Sequence, residues 1–345
     1  MDYGRILRRS LEITWKHKVL WIFGIAAALF SGHVGGPRIS RSIQYSFGGG
    51  KPEFWGFHRI RPPFGPWGHP PRGMMPPSMA EALPFLVSLV LLAALLILIA
   101  TVVSIVIRYT SLGALVGMVN ETEEKGTTSF RSGLDQGGKR LLPLFAIDLL
   151  IGLGTGVLIV VMLLVLFTLG AVVAVPAGLL ISAGGNLRIP GIILAVGVGL
   201  GLFFLLILLT VALSALVTIL RELAFRTCVI EQKGVFASIE EGWKLMRSHS
   251  REVFLTWLLL VVINLALGLA LMPFALIGIG SLVGPAFATF HLTKMIWPAV
   301  LVALPIALGI FAIGILLSGI YLVFRSAVWT LTYRELQRLA LLDSA

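Results

Sequence analysis

The chain has 345 residues, a formal net charge of +11, 57% hydrophobic and 12% charged residues, and a mean hydropathy of +0.98. Those proportions exclude an ordinary soluble domain, in which about a quarter of the residues are charged. The single cysteine, Cys228, excludes an intramolecular disulfide and any multi-cysteine metal site.

Runs almost free of charge lie around 82–107, 189–220, 253–290 and 298–324, and residues 141–182 carry only Asp148. Each can supply the ~20 apolar residues that a membrane-crossing helix needs. Alternating ten-residue strand patterns are missing, which favours a helical bundle over a membrane barrel. The expected fold is all-α: a polytopic transmembrane helical bundle and a single integral membrane domain over 1–345. About six spans are expected, in three internal repeats of an amphipathic helix plus two spans.

Repeat one covers 1–120. Its amphipathic helix, Asp2–Lys18, sets Leu7, Leu11 and Trp15 on one stripe at i, i+4 and i+8. The span that follows, 19–33, resembles a signal sequence, with basic residues ahead of an apolar run. Ser10-Leu11-Glu12-Ile13-Thr14-Trp15-Lys16, however, recurs deep in the chain as Ser238-Ile239-Glu240-Glu241-Gly242-Trp243-Lys244, so 19–33 is read as a retained first helix. The external loop 34–80 is rich in Gly and Pro and carries Phe54, Trp55, Phe57, Phe64 and Trp67 as a candidate partner surface. His33, His58 and His69 in this region lack acidic companions, and no metal site is expected there. The second span, 82–107, returns to Arg108.

Repeat two covers 121–232. The segment 128–140 places Phe130 and Leu134 four apart and ends in Lys139-Arg140, a weaker copy of the amphipathic helix. The run 141–182 is too long for one span. A full crossing to about Thr168 is expected, then a Pro-broken re-entrant or interfacial piece over 169–182. Gly152, Gly154 and Gly156 on this run, with Gly197, Gly199 and Gly201 on the return span 191–220, suggest closely packed helix faces.

Repeat three covers 233–345. Phe236, Ile239, Trp243 and Met246 form its apolar stripe, and Ser238 with Glu241 fits a capping box. The span 253–272 meets Pro273, an apolar stub at 274–284 follows, and the last span, 298–324, ends at Arg325.

The return spans thus end alike, at Arg108, Arg221 and Arg325, each followed four residues on by Leu112, Phe225 or Trp329. A cation in a last turn complements the helix dipole and can snorkel to headgroups. With Trp15, Lys16, Trp243 and Lys244 these arginines form the candidate lipid-headgroup interface. Of the 27 Lys and Arg residues, 19 lie in 1–18, 108–140, 221–251 and 325–345, against 8 in the opposite loops. The positive-inside rule then puts both termini and all three amphipathic helices in the cytoplasm of a multi-pass cell-membrane protein. With basic residues on both sides of that membrane, nucleic acid is not an expected partner; lipids or another membrane protein are.

Asp148 is the one acidic residue within an apolar run, a position that is costly and functional by default. Two readings stay open: it faces a polar cavity, or it pairs with a base such as Arg108 or Arg221. Asn264, alone in its span, reads as interhelical glue. No nucleophile, base and orienting group come together in the pattern, so no catalytic residue, cofactor or metal is expected.

The residues Arg221 through Glu252 carry a resemblance, above all Glu231-Gln232-Lys233-Gly234, Ser238 and Gly242-Trp243-Lys244, echoed at Glu124-Lys125-Gly126 and Ser129. The chain resembles bacterial six-span proteins grouped with the membrane domain of glycerophosphoryl diester phosphodiesterases and the YciC-like uncharacterised family. The resemblance implies a membrane module, since the hydrolase activity of such fusions belongs to a soluble metal-dependent barrel for which this chain has no room. The expected role is a membrane scaffold or accessory subunit that binds lipids or protein partners. The rivals are a carrier for a small or amphiphilic solute using Asp148, and then a lipid-modifying enzyme.

Overall fold

The computed structural model describes residues 1–30 and 79–343. The aromatic residues of the loop, Phe54, Trp55, Phe57, Phe64 and Trp67, and the histidines His33, His58 and His69 lie outside the described residues. The described chain is helical throughout: α1 (Tyr3–Lys16), α2 (Val19–Phe30), α3 (Met79–Lys125), α4 (Phe130–Ser182), α5 (Arg188–Ile230), α6 (Val235–Ser248), α7 (Ser250–Thr293) and α8 (Ile296–Asp343). The chain divides into two units, Met1–Gly35 with Val106–Ala345, and Gly36–Ile105. In the second, the described part is the first portion of α3.

Among the described residues, five helices are long and apolar enough to cross a membrane, and six if α1 and α2, bent by 97° across a short break, count as one span. The bend follows from composition: α1 is polar on one side and ends at Lys16, whereas α2 is apolar all round. The corner between them is fastened by Trp21, whose indole N–H donates to the Thr14 carbonyl at 2.8 Å and whose ring meets Trp15 edge-on at 5.5 Å.

The helices depart from several sequence expectations. The stubs at 169–182 and 274–284 are not broken pieces: α4 runs through Pro143 and Pro176, and α7 through Pro273 and Pro285. A proline removes one backbone hydrogen bond, and the rest of an unbroken apolar run has no solvent partner to exchange for its own. With 53 residues, α4 is about 80 Å long, against a hydrocarbon core of ~30 Å. Nor does 128–140 form a separate amphipathic helix; it is the first part of α4, capped by the Ser129 hydroxyl, which accepts from the Ser132 N–H. The capping box is absent as well. Gly234 is the N-cap of α6, and Ser238 lies inside the helix with its hydroxyl donating to the Lys233 carbonyl.

The tertiary core lies at one end of the long helices. Ile13, Leu20 and Phe23 of α1 and α2 pack with Ala114, Leu115, Met118 and Val119 of α3 and Val323 and Ala327 of α8. A second cluster joins Ile219 and Leu223 of α5 and Leu245 of α6 to Val253 and Leu260 of α7 and to Trp329, Tyr333 and Leu336 of α8. The most apolar stretches, by contrast, are almost wholly exposed. Lipid tails are as apolar as leucine, so nothing drives these surfaces together.

Close approaches occur where glycine permits them, and these are not the glycines that the sequence singled out. A Cβ on Gly137 would lie 2.1 Å from the Thr110 carbonyl oxygen, one on Gly24 would lie 2.5 Å from that of Gly319, and one on Gly319 would lie 2.8 Å from Ile25 Cα. Around Gly152, Gly154, Gly156, Gly197, Gly199 and Gly201 there is open space, so the closely packed faces expected there are not found. These six lie on the lipid-exposed stretches, whereas Gly24, Gly137 and Gly319 sit at helix crossings of the core.

Candidate functional site

Three long helices bring an arginine to the core end of the bundle without ending there. Arg108, Arg221 and Arg325 are interior to α3, α5 and α8, which continue to Lys125, Ile230 and Asp343. Their charges are therefore met by carboxylates and not, as the sequence suggested, by the carbonyls of a last turn.

Asp148 of α4 is the first of these carboxylates. Its Oδ2 accepts from Arg221 Nη2 at 2.9 Å and from the Tyr109 hydroxyl, and Arg108 Nη2 lies 3.8 Å away. Asp148, Arg108 and Arg221 are all roughly three-quarters buried. Arg221 also lies over the Phe225 ring, 5.3 Å from its centroid. Glu222, next in the chain, is the second carboxylate. Its Oε2 pairs with Arg226 Nη1 at 2.7 Å and its Oε1 with Arg325 Nη2 at 2.7 Å. Arg226 is only 1% exposed, and it also donates to the Ser326 carbonyl at 3.3 Å.

A third group surrounds the turn between α5 and α6. Glu231 accepts from Lys233 Nζ at 2.6 Å, from the Tyr333 hydroxyl and from the Gln337 amide. Gln232 has φ +56°, the left-handed conformation that reverses the chain between the two helices. Burial pushes the Glu231 carboxyl up, but hydrogen bonds from Lys233 and Tyr333 outweigh it and hold the group below its ordinary 4.5. A carboxylate depressed in the folded state stabilises fully above its unfolded value, and the contribution is lost as pH falls through the lower folded one. The melting temperature in detergent is therefore expected to fall as pH drops below 4.5, with Glu231→Gln flattening that slope. An unchanged slope in the variant would place the acid sensitivity elsewhere.

The other singled-out residues lie apart from these pairs. Trp15 and Lys16 on α1, and Trp243 and Lys244 on α6, are exposed. Lys244 pairs with Glu240 one turn back at 2.8 Å. Asn264 is half-buried on α7. Glu222, Arg226, Tyr109 and Tyr333 escaped the sequence reading. The Glu222–Arg226 spacing of i, i+4 was a usable signal; Tyr109 and Tyr333 carried none beyond adjacency to Arg108 and a place in an amphipathic tail.

Long apolar helices tied at one end by buried arginine–carboxylate pairs define a multi-pass α-helical membrane protein. Residues 19–345 match the model of a family of unknown function, DUF7544, and the chain belongs to that family. No curated protein and no solved structure matches it.

Proposed function

We propose that this protein is a non-enzymatic membrane scaffold or accessory subunit, whose cytoplasmic amphipathic helices hold lipids or a membrane-protein partner. The observation that carries the reading is the way α1 and α6 divide their faces. Ser10 and Thr14 of α1 are buried, as are Ser238 and Gly242 of α6, the positions equivalent to them in the Ser10–Lys16 and Ser238–Lys244 match. The following Trp and Lys point outward in both, with Trp15 56% and Trp243 43% exposed. Leu11 and Phe236 extend the outward apolar surface. Helices with one face in the core and an aromatic, basic face outward suit the membrane interface, where tryptophan and lysine meet headgroups.

This correspondence also supports the reading of internal repeats, with both termini in the cytoplasm of the cell membrane. The resemblance to glycerophosphoryl diester phosphodiesterase membrane domains and YciC-like proteins fits the same role of a module without a catalytic barrel. A carrier that uses Asp148 is the second reading. The three donors already engaged with that carboxylate weigh against it, because a coupling carboxylate must exchange its partner for a proton or solute.

The test is mass spectrometry of the full chain extracted in its native lipids, alongside a Leu11→Ser, Trp15→Ser, Trp243→Ser variant. A lipid or protein that accompanies the wild type stoichiometrically and leaves the variant is the expected result. A small solute as the only stoichiometric companion, indifferent to those changes, would replace the scaffold with the carrier.

A further inference from the structure

We infer that the cleft between α3, α5 and α8 binds the phosphate group of an anionic lipid. This rests on the membrane-scaffold reading above and names a ligand and a place for it. The cleft is lined by Leu112 and Val116 from α3, Glu222, Phe225 and Arg226 from α5, and Arg325 from α8, and encloses about 30 Å³. That space suits a water or the leading oxygens of a small anion, while the bulk of any larger ligand stays at the mouth. A phosphate carried on a lipid meets that description; an enclosed organic solute does not.

The charge count calls for an anion. Arg226 and Arg325 share Glu222, and Arg108 and Arg221 share Asp148. Four guanidinium groups facing two carboxylates leave two positive charges over, and arginine cannot shed its proton. Surplus charge held mostly out of water is costly without a counter-ion. Both Nη atoms of Arg226 are engaged, by Glu222 and by the Ser326 carbonyl, so the guanidinium open at the cleft is that of Arg325, whose side chain is 28% exposed. Guanidinium groups bind phosphate oxygens through paired, charge-assisted hydrogen bonds. The apolar walls, Leu112, Val116 and Phe225, suit the glycerol and first acyl carbons that follow a lipid phosphate.

The test uses the delipidated full chain in detergent, with phosphatidic acid as probe and phosphatidylcholine and inorganic phosphate as comparison ligands, read by native mass spectrometry. One phosphatidic acid should be retained in preference to phosphatidylcholine. Arg325→Gln should weaken retention about tenfold, the loss of one charge-assisted contact, with Arg325→Lys in between. Leu112→Trp fills the cleft without touching an ion pair and should weaken retention too, which keeps the test decisive if Arg325→Gln fails to fold. Wild-type retention by Leu112→Trp overturns the inference. Displacement of the lipid by inorganic phosphate, with the same losses in the variants, would overturn the lipid assignment in favour of a free-phosphate site. Loss of lipids in the Trp15 and Trp243 variant alone would leave the amphipathic-helix reading standing and sink the cleft. The converse pattern would retain the cleft and sink the other.

Discussion

Asp148→Asn is expected to destabilise the bundle by about 3 kcal/mol, the scale set by removing one partner from a buried ion pair. The two arginines drawn to Asp148 stay charged whatever replaces it, because guanidinium does not deprotonate at accessible pH. Tyr109 would keep a weaker acceptor. The pairs link α4 to α3 and α5, so their loss loosens three helices at once. Thermal or denaturant unfolding in detergent measures the change. Arg221→Gln added to Asp148→Asn should recover part of it, since the double variant strands one charge fewer. Asp148→Asn with wild-type stability but abolished solute uptake in proteoliposomes would instead make the carboxylate a transport group and promote the carrier.

Among the described glycines, Gly137→Ala is expected to be the most disruptive single-methyl change. Its Cβ would stand 2.1 Å from the Thr110 carbonyl oxygen, a backbone atom that no rotamer change can move. α3 and α4 would have to separate, at the upper end of the ~1–3 kcal/mol typical of overpacking or beyond it. Gly319→Ala, 2.8 Å from Ile25 Cα, should behave in the same way between α8 and α2. Gly152→Ala and Gly199→Ala meet nothing within 4 Å and should be neutral or stabilising, since alanine is the better helix former by up to ~1 kcal/mol. Melting temperatures of the four variants separate the two groups. Equal losses in both would mean that the apolar helices pack through Gly152 and Gly199 in the membrane.

Both results turn on features that the sequence carried unevenly. Asp148 stood out because a carboxylate amid apolar residues is rare and expensive, and Arg108 and Arg221 were bases expected near the same cytoplasmic interface. Glu222 was passed over: it follows Arg221 at the edge of the apolar run, where a charge looks solvated. Only the folded chain puts it between Arg226 and Arg325, the latter 103 residues further on. The glycines misled for a related reason. A small-residue spacing marks a face on which a helix can approach another, but which face meets a neighbour depends on where the helices cross.

The sequence by itself determined that this is an α-helical membrane protein of several spans, about six by its reading and five or six among the described residues, because apolar run length against bilayer thickness is a local property that needs no knowledge of contacts. It determined too that α1 and α6 are amphipathic, through their periodicity. Where helices begin and end was decided otherwise. Prolines that would break a helix in water are carried inside α4 and α7, since in an apolar setting the remaining backbone bonds have no competitor. The tertiary structure alone decided between a cavity and an ion pair for Asp148, brought Arg325 to Glu222, and set which glycines sit at crossings. Those contacts join residues from 27 to almost 300 positions apart, and in a bilayer they gather at the polar end of the bundle, where charge and packing hold helices together that the hydrophobic effect does not.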